Sequence, residues 1–157
     1  MKLIFRAESV TDVDRAADII VKMTEFIFMM MEHAVYDKVD PKDVDVSMML
    51  ECWTKGMVHV FTANEDKEIV GMSIWIDTPS IWRPKKQSLS SLMVFVQEDY
   101  RKSGIGAAFL EFVKKELSKK YPKGTLMVTD LVAGNPYKEA FVAMGFSPFL
   151  ERVQGVL

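Results

Sequence analysis

Cysteine is almost absent from this chain, and histidine is scarce. Cys52 stands alone, which excludes an internal disulfide and favours a reducing compartment. His33 and His59 have no companion at the spacing that metal ligands adopt, so we expect no metal. The net charge of −2 lacks the positive excess that nucleic-acid binding needs, so nucleic acid is not an expected partner.

Long hydrophobic runs are also missing. Residues 26–31 are far too few to span a membrane, and the N-terminus reaches Arg6 and Glu8 too soon for a signal-peptide core. We therefore expect a cytoplasmic protein with no membrane partner. Repeats, low-complexity segments and linkers are absent from the sequence, so residues 1–157 are predicted to form one domain.

The most informative segment that is present is residues 94–110. An apolar strand leads into a polar turn, then a loop with Arg101, Lys102, Gly104 and Gly106, then an amphipathic helix. The first N–H groups of a helix have no intrahelical partner, and the helix dipole makes that end positive. Because glycines remove the side chains that would keep an anion away, the segment predicts a phosphate or diphosphate site.

Two common phosphate loops do not fit this segment. A Walker-type loop has no counterpart in the chain, and Phe109 stands where a dinucleotide fingerprint needs its third glycine. The pattern Arg-x-x-Gly-x-Gly at Arg101, Gly104 and Gly106 instead resembles the acyl-CoA-binding loop of the GNAT N-acetyltransferases.

A second motif lies about thirty residues further on. Residues 135–146 resemble the closing motif of the same family, in which an Asn begins a short helix that ends in Gly-Phe. Physical chemistry agrees, because Asn135 is a good N-cap, Pro136 tolerates the first helical position and Gly145 suits a left-handed C-terminal cap.

The remaining elements alternate as in an α/β domain. Thr11 to Asp14 resemble a capping box for a long helix. Its predicted inward stripe is Val13, Ala16, Ala17, Ile20, Thr24, Ile27, Met31 and Ala34. The predicted strands are 3–6, 58–62, 69–76, 88–96, 126–132 and 149–156, with a second helix at 46–55 and a hairpin turn at 64–67. In the helix after the loop, Ile105, Ala108, Phe109, Phe112 and Val113 are predicted to face inward.

The resemblance covers nearly the whole chain and implies the GNAT fold. That fold has a mixed central sheet of about six to seven strands, splayed at the acyl-CoA notch and flanked by about four helices. It implies acetyl-CoA as cosubstrate. The cofactor-binding residues that it implies are Phe95, Val96, Arg101, Lys102, Ser103, Gly104, Ile105, Gly106, Ala107, Asn135 and Phe141.

The implied chemistry is acetyl transfer to a primary amine of a small molecule or protein. An alkylamine must first lose a proton, which costs about 4.6 kcal/mol at pH 7. Many family members use a Glu and a Tyr as base and acid, but the corresponding positions here are Ser90 and Phe141. Our candidate catalytic residues are therefore Asp130 as base or water organiser, Ser90 as water holder and Tyr137 as the nearest phenol.

Two functions remain open at this point. The first is an active N-acetyltransferase that works mostly by proximity and orientation. The alternative is a catalytically weak or inactive GNAT-like domain that binds acyl-CoA and contacts another protein through methionines such as Met29, Met30 and Met48.

The acceptor is the least constrained partner. Acidic residues between positions 32 and 51 would attract a cationic amine, although an ordinary solvated loop explains them equally well. Trp53, Trp75 and Trp82 could line an aromatic acceptor pocket, although the predicted strand around Trp75 favours the core for that residue. The apolar C-terminal strand permits a homodimer.

Overall fold

The computed structural model describes residues 3–31, 45–78, 87–101, 104–129, 137–143 and 145–147. The strands are β1 (Leu3–Ala7), β2 (Val58–Glu65), β3 (Glu68–Asp77), β4 (Ser88–Val96) and β5 (Leu126–Val128). The helices are α1 (Val13–Met31), α2 (Ser47–Thr54), α3 (Glu98–Arg101), α4 (Ile105–Ser118) and α5 (Tyr137–Ala143). Within these ranges, no helix combines the length and the apolar character needed to cross a bilayer.

The five strands form one mixed sheet in the order β1-β2-β3-β4-β5. The first three neighbouring pairs are antiparallel, and β4 and β5 run parallel. The predicted mixed α/β sheet and the two helices between the first two strands are confirmed. The described part has five strands rather than six to seven, and the predicted strand 149–156 lies outside it.

Each face of the sheet carries its own hydrophobic core. Helices α1 and α2 cover one face, where Phe26 lies 4.6 Å from Phe95, measured between ring centroids. Helix α4 covers the other face, where Phe109 packs against Phe5 at 5.3 Å. Burial on both faces explains why the two central strands, β2 and β3, are buried along most of their length.

The buried stripe of α1 differs from the predicted one. The buried side chains are those of Ala16, Ile19, Met23 and Phe26, whereas Val13 is 75% exposed. Apolar residues occupy two adjacent helical stripes in this segment, and periodicity alone does not decide which one packs inward. The stripe that contains Phe26 packs against Phe95 of β4, so contact with this strand determines which stripe of α1 is buried.

Three other local predictions need correction. Ala108 of α4 is exposed, and Leu110 and Leu117 join the buried face instead. The first turn of α1 is capped by Asp12, whose Oδ1 accepts a hydrogen bond from the Arg15 N–H at 3.2 Å, rather than by Thr11. The β2–β3 strands continue to Glu65 and from Glu68, because Asp66 adopts a left-handed φ of 52° that permits a two-residue turn.

A buried polar network joins β1, α1 and β2. The guanidinium of Arg15 lies 2.8 Å from a carboxylate oxygen of Glu8 and 2.5 Å from the amide oxygen of Asn64. The Thr62 hydroxyl also donates a hydrogen bond to Glu8. The Glu8 and Arg15 side chains are only 7% and 16% exposed, so the two charges depend on each other for stabilisation.

A second polar cluster ties the end of α4 to the sheet. The Tyr121 hydroxyl donates to Oδ1 of Asp77 at 2.5 Å and lies 2.5 Å from Nε2 of His59. Burial of the imidazole and the positive charge of Lys120 together lower the pKa of His59, although Asp77 opposes the shift. Burial and the bond to Asp77 raise the pKa of Tyr121, so the phenol stays protonated.

The lowered pKa of His59 predicts a pH-dependent loss of stability. Protonation favours the unfolded chain, whose histidine pKa is about 6.5, so the free energy of unfolding is highest above that pH. It should fall as the pH drops from about 6.5 through the lower folded-state pKa. Urea unfolding between about pH 8 and pH 5 measures this, with His59→Gln as the non-titrating comparison. Parallel pH profiles for the two proteins would contradict it.

Candidate functional site

The sheet opens between β4 and β5. Their parallel pairing runs from Ser88 with Leu126 to Ser90 with Val128 and ends there, although β4 continues to Val96. Beyond the pairing, the Ser91 hydroxyl still reaches Thr129 Oγ1 at 2.7 Å. Along residues 92–96, the described part of the chain supplies no further strand on this edge. The predicted notch is therefore the edge of β4 that faces this opening.

An apolar groove of about 130 Å³ lies at this opening on the α4 face. Its wall combines the ends of β4 and α3, the first two turns of α4 with the preceding Gly104, and one residue of α5. The lining residues are Val94, Val96, Arg101, Gly104, Gly106, Ala107, Phe109, Leu110 and Phe141. Arg101 is the only ionisable side chain in this described lining, so the groove suits an apolar arm with one anionic end.

Glycines shape the end of the groove where α4 begins. Gly104 precedes the helix with a left-handed φ of 73°, a conformation that side chains other than glycine adopt at a cost. A Cβ atom built on Gly104 or Gly106 meets no atom within 4 Å. Both positions therefore face open space next to the unpaired N–H groups of α4, an arrangement that can hold an anion.

Arg101 is held at the same end by the last residue of β4. Its Nε donates to the Val96 carbonyl at 2.8 Å, and its guanidinium carbon lies 5.3 Å from the centroid of the Phe95 ring. These contacts hold the Arg101 side chain at the end of β4, and Arg101 lines the groove together with Gly104 and Gly106.

The hydrogen-bond pattern of β4 determines which backbone groups face the opening. The Gln97 N–H donates to the Val70 carbonyl, and Val96 pairs opposite Gly71. Because antiparallel pairs alternate between bonded and non-bonded, the N–H and C=O of Val96 and Val94 point to the open edge, and those of Phe95 point to β3. At this edge, backbone groups for a ligand therefore come from Val94 and Val96.

Ser90 and Phe141 lie on different sides of the notch. Ser90 pairs with Ile76 on the face covered by α1 and α2, and its Oγ lies 3.0 Å from Thr78 Oγ1. Phe141 lies on the groove side, is 2% exposed, and packs edge-on against Phe146 at 5.1 Å. The α5 helix ends as expected, with Gly145 at a φ of 84° and the Phe146 N–H bonded to the Phe141 carbonyl.

Several predicted site residues lie outside the described residues. These are Lys102, Ser103, Asp130 and Asn135, as well as the side chain of Tyr137 and the possible acceptor-pocket residue Trp82.

The other predicted site residues lie in the described part of the chain. Ile105 is on the buried face of α4, and Ala107 lines the groove. Trp53 is 5% exposed and packs within the α1 and α2 core, and Trp75 is in the core as predicted.

The structure also adds residues that the sequence did not single out. Val94, Phe109 and Leu110 line the groove, and Ser91 and Thr129 meet just beyond the end of the β4–β5 pairing. The alternation of side chains along β4 and the spacing of apolar residues in α4 indicated that Val94, Phe109 and Leu110 face this side of the sheet. The Ser91–Thr129 contact had none, because it depends on how two strands far apart in sequence align.

The family comparison agrees with this geometry. The family model described as an acetyltransferase (GNAT) domain matches residues 30–152, well over half of the chain. The chain therefore belongs to the GNAT acetyltransferase family. A search of curated proteins finds no match to the sequence.

Solved structures share the fold at low sequence identity. A GCN5-related N-acetyltransferase from Ralstonia eutropha JMP134 has 15% identity and a TM-score of 0.74, with 99% of each chain covered. A predicted acetyltransferase from Clostridium acetobutylicum, solved with acetyl-CoA, has 11% identity and a TM-score of 0.68 over 99% of this chain and 96% of that one. An aminoglycoside acetyltransferase from an uncultured soil metagenomic sample, solved with sisomicin, has 13% identity and a TM-score of 0.67 over 99% and 94%.

Proposed function

We propose that the protein is an acetyl-CoA-dependent N-acetyltransferase that acetylates a primary amine. The observation that carries the proposal is the apolar groove along the open edge of β4, which ends at Gly104, Gly106 and the start of α4. An acyl-CoA combines a diphosphate with a long uncharged arm, and the groove offers an anion-binding end followed by an apolar wall with an open strand edge.

The residues fit such a cosubstrate in two ways. The open space over Gly104 and Gly106 lets a phosphate approach the first N–H groups of α4, and Arg101 adds positive charge there. The N–H and C=O groups of Val94 and the N–H of Val96 can pair with the amides of the arm as an added strand would, whereas the Val96 carbonyl accepts a hydrogen bond from Arg101. Acetyl-CoA, when bound, supplies an activated thioester carbonyl.

The contribution of the chain to chemistry is mainly positioning. The thioester end of the arm would reach the point where the β4–β5 pairing ends. Ser90 is the last paired residue of β4 there, and its side chain lies on the sheet face covered by α1 and α2. We propose that Ser90, hydrogen-bonded to Thr78, holds a water that accepts the proton of the amine. Asp130 and Tyr137 remain candidates for further acid–base roles. Fixing two reactants in one geometry can itself provide a large part of the rate.

For the acceptor, we propose a cationic amine of a small molecule. Asp45 lies on the exposed surface just before α2 and would attract such an amine. Two of the structural neighbours are named as aminoglycoside acetyltransferases, which act on cationic amines. This parallel supports the class of acceptor and no particular compound.

A binding experiment followed by an activity screen tests the proposal. We expect calorimetry to detect acetyl-CoA binding, and a CoA-release assay over polyamines, aminoglycosides, simple alkylamines and lysine peptides to detect turnover. Cationic acceptors should lose kcat/KM as salt is added, because screening weakens their attraction to acidic groups. No acetyl-CoA binding at millimolar concentration would overturn the proposal.

One observation favours the alternative of an inactive acyl-CoA-binding domain. Phe141 occupies the groove wall where relatives usually have a tyrosine, and its ring is buried against Phe146. A phenyl ring has no proton to give to a departing thiolate. Tight acetyl-CoA binding without CoA release from any amine in the screen would support this alternative over the enzyme.

A further inference from the structure

Two hydroxyl groups meet where the β4–β5 notch closes. Regular pairing ends at Ser90 and Val128, and the next residue on each strand is Ser91 and Thr129. Ser91 Oγ donates a hydrogen bond to Thr129 Oγ1 at 2.7 Å, and both side chains are half-buried. This hydrogen bond lies at the inner end of the notch, where the regular pairing of the two strands stops.

The pair lies on the same side of the sheet as the groove. Ser91 pairs opposite Trp75, which belongs to the core under α4, and Val94 packs against that same core. On the neighbouring strand, Met127 also packs against this core, so Thr129, two residues on, shares its face. The groove lining reaches Val94 on β4, so the hydroxyl pair lies further inward along the notch, on the same face of the sheet.

The direction of the hydrogen bond leaves one proton unused. Ser91 donates its hydroxyl proton to Thr129 Oγ1. Within the described residues, the Thr129 hydroxyl donates to no side chain or carbonyl. A hydroxyl that accepts one hydrogen bond becomes a better donor to the next partner. Thr129 is therefore a polarised donor at the inner end of the notch.

The length of the groove edge matches the length of the arm that the proposed function requires. From the diphosphate to the sulfur, the arm of coenzyme A has about twelve backbone bonds, as many as about four extended residues. An anion at the start of α4 lies next to Val96, and Ser91 is five residues back along β4. One of these five is an extra residue relative to β3, so the edge advances by about four residues. The sulfur would therefore lie near the hydroxyl pair.

We infer that Thr129 donates a hydrogen bond to the coenzyme A sulfur and that Ser91 positions and polarises this donor. The inference rests on the proposed function. As the carbon–nitrogen bond forms and the carbon–sulfur bond breaks, the electron pair of the broken bond goes to sulfur, and the amine proton passes to water. Thr129 transfers no proton and stabilises the negative charge on sulfur by donation, a role that the Phe141 ring has no hydroxyl to fill.

The test compares CoA with desulfo-CoA, which lacks the sulfur. Binding of each is measured by calorimetry for wild type and Thr129→Val in a series of increasingly alkaline buffers, in which a growing share of the CoA thiol is ionised. Valine keeps the shape of threonine and removes the hydroxyl. The affinity for CoA should fall about tenfold, as expected for a lost hydrogen bond to a charged group, and the affinity for desulfo-CoA should not change.

Three further variants and one spectroscopic measurement sharpen the result. Thr129→Ser restores a hydroxyl and should bind CoA like wild type, and Ser91→Ala should show a smaller loss than Thr129→Val. Thr125→Val is the matched control, because its hydroxyl bonds to the Pro122 carbonyl before β5 begins. Ultraviolet absorbance of the bound thiolate should show the CoA thiol pKa rising by about one unit in Thr129→Val.

Different failures have different meanings. If wild type binds both compounds and Thr129→Val changes neither affinity, or changes both equally, the role of Thr129 is overturned and the proposed function stands. If wild type binds neither compound, the proposed function and this inference are both overturned.

Discussion

Replacing Gly106 by leucine is expected to abolish acetyl-CoA binding while leaving the protein at least as stable as wild type. The side chain would extend into the open space over the start of α4, because a Cβ there meets no atom within 4 Å. It would cover the N–H groups proposed to bind the diphosphate. Losing two hydrogen bonds to a charged group corresponds to at least about a hundredfold in affinity.

Stability should move in the opposite direction. Gly106 lies within α4 and its φ is not in the left-handed region, so other residues fit its backbone. Glycine is about 1 kcal/mol less favourable than alanine in a helix, and leucine is nearly as favourable as alanine. Thermal unfolding and calorimetry on the same samples measure both effects.

Ala108→Leu is the matched control for this substitution. It adds a leucine to the same turn of α4, but Ala108 is exposed and does not line the groove. We expect its acetyl-CoA affinity to equal that of wild type. If Gly106→Leu bound acetyl-CoA as tightly as Ala108→Leu does, the diphosphate would not lie at the start of α4.

Arg15→Ala should be the most destabilising substitution of a charged residue in the network that joins β1, α1 and β2. It leaves the Glu8 carboxylate, which is 7% exposed, without its cationic partner. Breaking a buried pair in this way costs about 3–5 kcal/mol. That is a large share of the total of about 5–15 kcal/mol expected for a folded protein. Urea unfolding should show a lower midpoint at an unchanged m-value.

Two comparisons separate charge from packing. Lys55→Ala breaks an ion pair with Glu51 whose side chains are 61% and 64% exposed, and it should cost at most about 0.5 kcal/mol. Combining Glu8→Gln with Arg15→Ala removes the unpaired charge and should recover part of the loss. A cost for Arg15→Ala no greater than that for Lys55→Ala would show that Glu8 needs no cation.

Local signals predicted much of the fold. The bounds of β4 agree with the predicted strand at 88–96, because an apolar run ends at a polar turn. Gly56 ends α2 and Gly145 follows α5, both with positive φ, because these ends need a conformation that glycine adopts readily. The loop glycines Gly104 and Gly106 lie at the start of α4, where the motif predicted them.

Features that depend on distant parts of the chain were not predicted. The inward stripe of α1 is chosen by contact with Phe95, and neither stripe is marked by spacing alone. The contact between Ser91 and Thr129 joins residues that are 38 positions apart, and only the alignment of β4 with β5 brings them together. The strand alignment also decides that Val94, rather than Phe95, shares the notch edge with Val96.

The irregular pairing of β3 and β4 has a consequence for the whole strand. Trp75 pairs with Ser91 and Ile74 with Met93, so β4 contains one more residue, Leu92, than its partner. Odd-numbered positions such as Leu89 face α4 before this residue, and even-numbered positions such as Val94 face it afterwards. The positions of β4 that tolerate a polar side chain on the α4 face therefore change from odd-numbered to even-numbered at Leu92.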